Sequence, residues 1–356
     1  MRNLSFYSTR IKPSFLFLAI LVIASTFIKC KSEVGAKAQG NTQEALTDTT
    51  KVIDEVPIPD PPKLDTALYN AKLLDLVHNQ PTDKWPVKTN YPLPGALLPF
   101  NRIIAYYGNL YTPRMGILGE KPSEDMLKKL QAEVKNWEAA DTATPVIPAL
   151  HYIAVTAQHD PGKGKKYRLR MPFHQIDEIL ELAKSINGIV FIDIQVGHST
   201  LQEEIPEFEK YLLMPNVHLG IDPEYSMKSG HVPSARVGTF DAADVNYAAT
   251  YLADLVKQHN LPPKILVVHR FTKGMVTNYK NIELRPEVQI VMHMDGFGFA
   301  AKKIDTYRYS VTNEPVQFAG FKVFYKNDTA DKKYPALMLP DDILALFPKP
   351  VYIQYQ

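Results

Sequence analysis

The chain has 356 residues, of which 45% are hydrophobic and 22% are charged, a composition typical of globular proteins. Its 40 Lys and Arg residues nearly balance 38 Asp and Glu residues, so the net charge of +2 gives no reason to expect nucleic acid as a partner. The single cysteine excludes a disulfide within the chain.

Residues 1–30 resemble an export signal. Basic residues precede an apolar run from Phe15 to Ile28, which is too short to span a bilayer comfortably. The run is followed by Cys30, the position of the lipidated cysteine in bacterial lipoproteins, although Lys29 stands where that pattern has a small residue. We therefore predict a lipid anchor at the cell envelope, facing the periplasm or the surface. An ordinary signal peptide or an uncleaved anchor is the alternative, and either would still export the protein.

Residues 31–63 contain few large apolar side chains and end in a proline-rich stretch, so they predict a disordered linker rather than a core. Residues 64–356 then form the predicted folded domain. Its first part, from Leu64 to Phe100, is expected to be a helix and a loop that close the bottom of the fold.

Eight apolar runs of strand length follow, separated mostly by helical patterns, and this alternation is the signature of parallel βα units. The predicted strands are Arg102–Gly108, Val146–Val155, Gly188–Gln195, Val217–Asp222, Lys264–Arg270, Val288–Asp295, Gly320–Tyr325 and Pro350–Tyr355.

The predicted helices are Ser123–Ala140 with Ser123 as its N-cap, Pro172–Ser185, Leu201–Leu213, Asp241–His259 and Asp341–Leu346. The connections around Met275–Glu283 and Ala300–Tyr309 have weaker helical patterns. Eight strands over this length predict an α/β fold of the (β/α)8 TIM-barrel type, with an open α/β sheet as the alternative. No glycine-rich phosphate loop follows any strand, which disfavours an open nucleotide-binding sheet.

Polar residues cluster where three of these strands end. Residues at i and i+2 of a strand share a face, which pairs Asp193 with Gln195, Asp222 with Glu224, and His293 with Asp295. The carboxyl ends of barrel strands carry the active site in nearly every enzyme of this fold. A single strand-end carboxylate often only caps the next helix. Four such residues, however, are expected to meet in one cup-shaped pocket at the carboxyl ends of the strands.

Further candidates for substrate binding lie at corresponding places. They are Glu120, His151, His198, His269, Arg270, Tyr107 and Tyr225. Tyr106, Phe297 and Tyr325 are aromatic residues near the same rim, where some rings could stack on sugars and the others only pack.

Paired carboxylates on neighbouring strand ends suit glycoside hydrolysis, which needs one acid for the leaving oxygen and one nucleophile or base. We predict Glu224 as the acid and base, with Asp222 beside it, and Asp295 or Asp193 as the nucleophile or base. We expect a monomer that binds a carbohydrate and needs no cofactor.

Two other functions remain open. Asp193, His198, His269, His293 and Asp295 are all metal-ligand types, which would suit a metal-dependent hydrolase, but their spacing matches no specific metal motif and no metal is predicted. The same cup could also bind a glycan or peptide without turning it over.

Several segments carry a resemblance to a known family. They are GIVFIDIQVGHS (188–199), HLGIDPEYSM (218–227), KILVVHRF (264–271), MHMDGFG (292–298) and the terminal VYIQYQ. In these segments the chain resembles a family of uncharacterised bacterial lipoproteins, from about Arg102 onward. The resemblance implies export and a glycosidase-like (β/α)8 barrel, and it supplies no reaction.

Overall fold

Eight apolar runs form a closed parallel barrel in the computed structural model, which describes residues 63–356. The barrel strands are β1 (Arg102–Gly108), β2 (Val146–Ala157), β3 (Ile189–Ile194), β4 (Val217–Ile221), β5 (Lys264–Arg270), β6 (Val288–Met294), β7 (Phe318–Val323) and β8 (Tyr352–Tyr355). Each pairs in parallel with its neighbours, and β1 pairs with both β2 and β8, which closes the sheet. The predicted (β/α)8 barrel is therefore confirmed, and the open sheet was wrong.

Three of the strands end one residue earlier than the apolar pattern predicted. Gln195 lies one residue beyond β3, Asp222 directly follows β4, and Asp295 directly follows β6. These polar residues therefore lie at the carboxyl-end rim of the barrel, where their backbone N–H groups still donate to carbonyls of the neighbouring strands.

Helices cover most of the crossovers. They are Ser123–Ala140, Phe173–Ser185, Ala242–His259, Ala300–Tyr307 and Pro340–Leu344, while residues 201–212 form two short α-helical turns around a 3-10 turn. The β5–β6 crossover has two 3-10 turns and no α-helix within the described residues 271–287.

Local sequence explains where one of these helices begins. Asp241 caps Ala242–His259, because its side chain accepts from Ala243 N–H while Asp244 accepts from the Asp241 N–H in return. Ser123 is not the N-cap that the sequence predicted. It is the first helical residue, and Pro122 precedes it without a side-chain cap.

The segment before β1 closes the lower end of the barrel, as predicted. A helix, Thr66–Leu76, precedes a loop whose Leu98 packs among the inward side chains of the strands. The Gln289 side chain accepts from Leu98 N–H at 3.0 Å and donates to its carbonyl at 2.6 Å, which satisfies both buried backbone groups. The segment from 64 to 100 therefore covers the bottom of the barrel, opposite the carboxyl ends of the strands.

The predicted signal segment, Cys30 and the linker up to residue 62 lie outside the described residues. Within 63–356, no helix has the length and apolar character needed to cross a membrane.

Candidate active site

Asp193 is the centre of a buried polar network inside the upper barrel. It projects inward from β3 and is fully buried. Its Oδ2 accepts from the Tyr107 hydroxyl on β1 at 3.0 Å, and its Oδ1 lies 3.1 Å from His151 Nε2 on β2. Gly220 on β4 makes room for this pair, since a Cβ atom there would lie 2.4 Å from both Asp193 Oδ1 and His151 Nε2.

His269 on β5 joins Asp193 to a second carboxylate. Its Nδ1 lies 2.7 Å from Asp295 Oδ2, and its Nε2 lies 3.5 Å from Asp193 Oδ1. Burial alone would lower the pKa of His269, but the two carboxylates outweigh burial and raise the pKa to about 10. His269 is therefore an imidazolium at neutral pH that donates from Nδ1 to Asp295, while its Nε2 lies at ion-pair distance from Asp193.

His151 has the opposite protonation state. Burial lowers its pKa to about 4, and the hydrogen bond with Asp193 offsets burial only in part. An ionised carboxylate can only accept, so the neutral ring carries its proton on Nε2. Its Nδ1 then accepts from the Tyr352 hydroxyl at 2.6 Å, and Gln354 Nε2 donates to that hydroxyl at 2.9 Å. The tautomer of His151 thus follows from its neighbours.

Lys322 completes the charge balance at Asp295. The Lys322 ammonium on β7 lies 2.9 Å from Asp295 Oδ1 and 4.0 Å from the centre of the Tyr107 ring. Burial would raise the pKa of Asp295, but Lys322 and then His269 lower it below the ordinary range of an aspartate. Asp295 is consequently ionised at neutral pH although it is almost completely buried.

A cavity of about 660 Å³ lies above this network at the carboxyl ends of the strands. Of the predicted site residues, Tyr107, Gln195, Asp222, Glu224, Tyr225 and Asp295 line it. Phe271, Phe297, Tyr309, Lys322 and Phe324 are among its other lining residues. The cavity is therefore polar on its floor and rich in aromatic rings on its walls.

Glu224 and Asp222 both follow β4 and have raised pKa values. Burial, then the Asp295 charge, raises the pKa of Glu224 to about 7. Burial raises the pKa of Asp222 well above its usual range. One Asp222 oxygen also accepts from the Glu224 N–H at 3.0 Å, which fixes the short turn that carries Glu224. Asp222 thus has the capping role expected of a strand-end acid as well as a place in the cavity wall.

Four other predicted residues lie beneath the cavity and do not line it. Asp193, His151 and His269 form the buried network, and His293 on β6 stands edge-on to His269 with ring centroids 5.1 Å apart. Burial lowers the pKa of His293 well below its ordinary value. These residues can act on a ligand only through the side chains above them.

Three predicted residues lie away from the cavity. Arg270 follows inward-facing His269 on β5 and so points outward, where it binds backbone carbonyls and Glu314. His198 lies against Tyr167 with ring centroids 4.4 Å apart. Glu120 pairs with Lys326 on the surface. The structure therefore does not bring these three side chains into the cup.

Sequence reasoning missed Lys322, Tyr352 and Gln354. Each faces inward on β7 or β8 and contacts the network directly. Lys322 carried a usable signal, because a lone lysine inside the apolar run GFKVFY is a buried cation that needs an acidic partner.

Two groups of side chains have metal-ligand atom types within 4.8 Å of one another. They are His151, Asp193 and His269, and His269, His293 and Asp295. Both include the His269 imidazolium, and Asp295 already pairs with the Lys322 ammonium. We interpret the groups as parts of a charge-balanced network, because Asp295 already pairs with the Lys322 ammonium.

Gly220→Ala should destabilise the protein because the added methyl group would push Asp193 and His151 apart. We expect the free energy of unfolding to fall by about 1–3 kcal/mol, measured by urea denaturation followed by circular dichroism. Gly274→Ala is the matched control, since nothing lies within 4 Å of its added Cβ atom. Equal stability of the two variants would contradict the close packing described at Gly220.

Comparison with known proteins assigns no family to the chain. No protein-family model matches the chain, and no curated protein matches it. Among solved structures, a GH5-4 broad-specificity endoglucanase from Clostridium longisporum is similar over 64% of this chain and 75% of its own, with 8% identity and a TM-score of 0.36. The Plasmodium falciparum HPPK-DHPS with pteroate is similar over 81% of this chain and 51% of its own, with 11% identity and a TM-score of 0.37.

Proposed function

We propose that the barrel hydrolyses a glycosidic bond, with Glu224 as general acid and base and Asp295 as the ionised partner carboxylate. One observation carries the proposal: two carboxyl groups lining one cavity have pKa values shifted in opposite directions. Such a pair can hold one acid protonated and the other ionised at the same pH, which is what glycoside hydrolysis requires.

The proposed reaction assigns one step to each group. The Glu224 carboxyl gives its proton to the glycosidic oxygen as the bond from that oxygen to the anomeric carbon breaks. The Asp295 carboxylate stabilises the positive charge that develops on the sugar, and it acts as the nucleophile or as the base for the attacking water. Water supplies the hydroxyl group of the product, and its remaining proton returns to the enzyme carboxylates.

Asp295 fits the ionised role better than the other two aspartates. Asp193 lies beneath the cavity floor with both oxygens engaged by Tyr107, His151 and His269. The raised pKa of Asp222 favours its neutral form. Asp295 alone combines a lowered pKa with a place in the cavity lining.

Glu224→Gln tests the assignment directly, because an amide cannot donate the proton. If any glycoside in a panel of aryl glycosides and soluble polysaccharides is hydrolysed, we expect its kcat/KM to fall by about 10²- to 10⁴-fold. Asp295→Asn should cause a loss of similar size. Glu178→Gln, a surface substitution at a residue that binds Tyr111, should retain full activity. Hydrolysis unchanged by Glu224→Gln would refute the assignment, and a folded wild type that binds a glycan without hydrolysing it would indicate a binding protein.

The pH dependence gives an independent check. Glu224 must be protonated to act as the acid, so kcat/KM should decrease as the pH rises through about 7. Lys322 lowers the pKa of both Asp295 and Glu224, so Lys322→Met should move both limbs of the profile to higher pH. Lys326→Met removes a rim lysine that pairs with Glu120 and should move neither limb. A Lys322→Met profile that overlays the wild type would contradict the role of this ammonium.

We further propose that the barrel acts at the cell envelope, anchored through lipid on Cys30. The proposal is supported by the basic segment and the apolar run that precede this residue. In a bacterial host, Cys30→Ser should move the protein from the membrane fraction to the soluble fraction and abolish labelling by radioactive palmitate. Lys29→Ala, which restores a small residue before the cysteine, should preserve both. Membrane retention and labelling in Cys30→Ser would rule out this anchor.

A further inference from the structure

Two pairs of aromatic rings lie on the loops beside the cavity. Phe324 and Phe297 both line the cavity, with ring centroids 6.0 Å apart, and Phe297 is 54% exposed. Phe299 follows two residues later and packs against Tyr334 with ring centroids 5.0 Å apart and an interplanar angle of 33°. Tyr334 is 47% exposed. We call these four residues the aromatic strip.

The aromatic strip is built on anchored loops. The Asp328 side chain accepts from Gly298 N–H and from Phe324 N–H, each at 2.9 Å, and it forms a buried ion pair with Lys303. Gly298 lies between Phe297 and Phe299, so this one carboxylate joins the loop after β6 to the loop after β7. The rings are therefore held in place before any ligand arrives.

The exposed rings have no role in the proposed chemistry, which occurs at the carboxylates of the cavity. An exposed aromatic ring that lines a cavity, as Phe297 does, is typical of a ligand-binding groove. Lysine ammonium groups accompany the rings: Lys302 Nζ lies 5.2 Å from the Phe297 ring centre, and Lys333 Nζ lies 5.0 Å from that of Tyr334. These ammonium groups lie over the rings, so a sugar that stacks there would replace them on the ring face and accept hydrogen bonds from them at its hydroxyl groups.

We infer that the aromatic strip binds further sugar units of the glycan chain whose reacting unit occupies the cavity. The substrate is then an oligomeric or polymeric glycan rather than a small glycoside. This inference depends on the proposed function for the identity of the bond that is cleaved, but binding at the strip can be measured without cleavage.

Native affinity electrophoresis separates the two questions. The Glu224→Gln protein, which binds without cleaving, is run in gels containing hydroxyethyl cellulose, xyloglucan, xylan, galactomannan or polygalacturonate. At least one polymer should retard it, and adding Tyr334→Ala or Phe297→Ala should weaken that affinity by about tenfold. Tyr91→Ala is the matched control, because Tyr91 is 45% exposed in the segment that closes the bottom of the barrel. This control should leave the retardation unchanged.

The outcomes distinguish the inference from the proposed function. If a polymer retards the protein only when Tyr334 is present, and the wild type hydrolyses no glycoside, the result would support binding at the aromatic strip and contradict the proposed hydrolysis. Two results would contradict binding at the aromatic strip and leave the proposed hydrolase intact. In both, the enzyme hydrolyses aryl monoglycosides. In the first, no polymer retards the protein; in the second, the Tyr334→Ala and Tyr91→Ala proteins are retarded equally. In an active enzyme, Tyr334→Ala should lower kcat/KM for the bound polymer more than for an aryl monoglycoside.

Discussion

The His269 imidazolium holds together two buried carboxylates that would otherwise repel each other. Asp193 and Asp295 both lie inside the barrel, where an ionised group without a partner would be strongly destabilising. With Lys322 paired to Asp295, two positive charges balance two negative ones, while burial keeps His151 and His293 neutral. The rest of the candidate site depends on this balance, since it keeps Asp295 ionised in the lining of the cavity.

The charged groups and the protonated acid lie at different depths in the barrel. Asp193 and its partners form a floor without access to solvent, and Glu224 stands above it, where burial and the negative charge of Asp295 favour the protonated form. The surroundings alone therefore shift the pKa values of two carboxyl groups in one cavity in opposite directions. Gly220 contributes to this arrangement because it has no side chain, which lets Asp193 and His151 pack directly against its backbone.

The floor and the rim are physically connected at β7. Lys303 donates to the backbone carbonyl of Lys322 at 2.6 Å and also pairs with Asp328, which anchors the loops that carry the aromatic strip. The ammonium that balances Asp295 and the rings at the cavity mouth thus share one rigid support. This arrangement explains how a site assembled from several loops can remain ordered around a ligand.

Local patterns in the sequence were sufficient to predict the eight strands and the faces of their side chains, because apolar period-2 runs and i, i+2 pairs are local properties. These patterns therefore predicted that Asp193, Asp222, Glu224 and Asp295 lie at one end of a barrel. The packing of the folded barrel, by contrast, places Asp193 below the cavity, turns Arg270 outward and brings Lys322, from a distant strand, to neutralise Asp295. Depth and charge pairing depend on the stagger and closure of strands far apart in the chain, which no local pattern encodes.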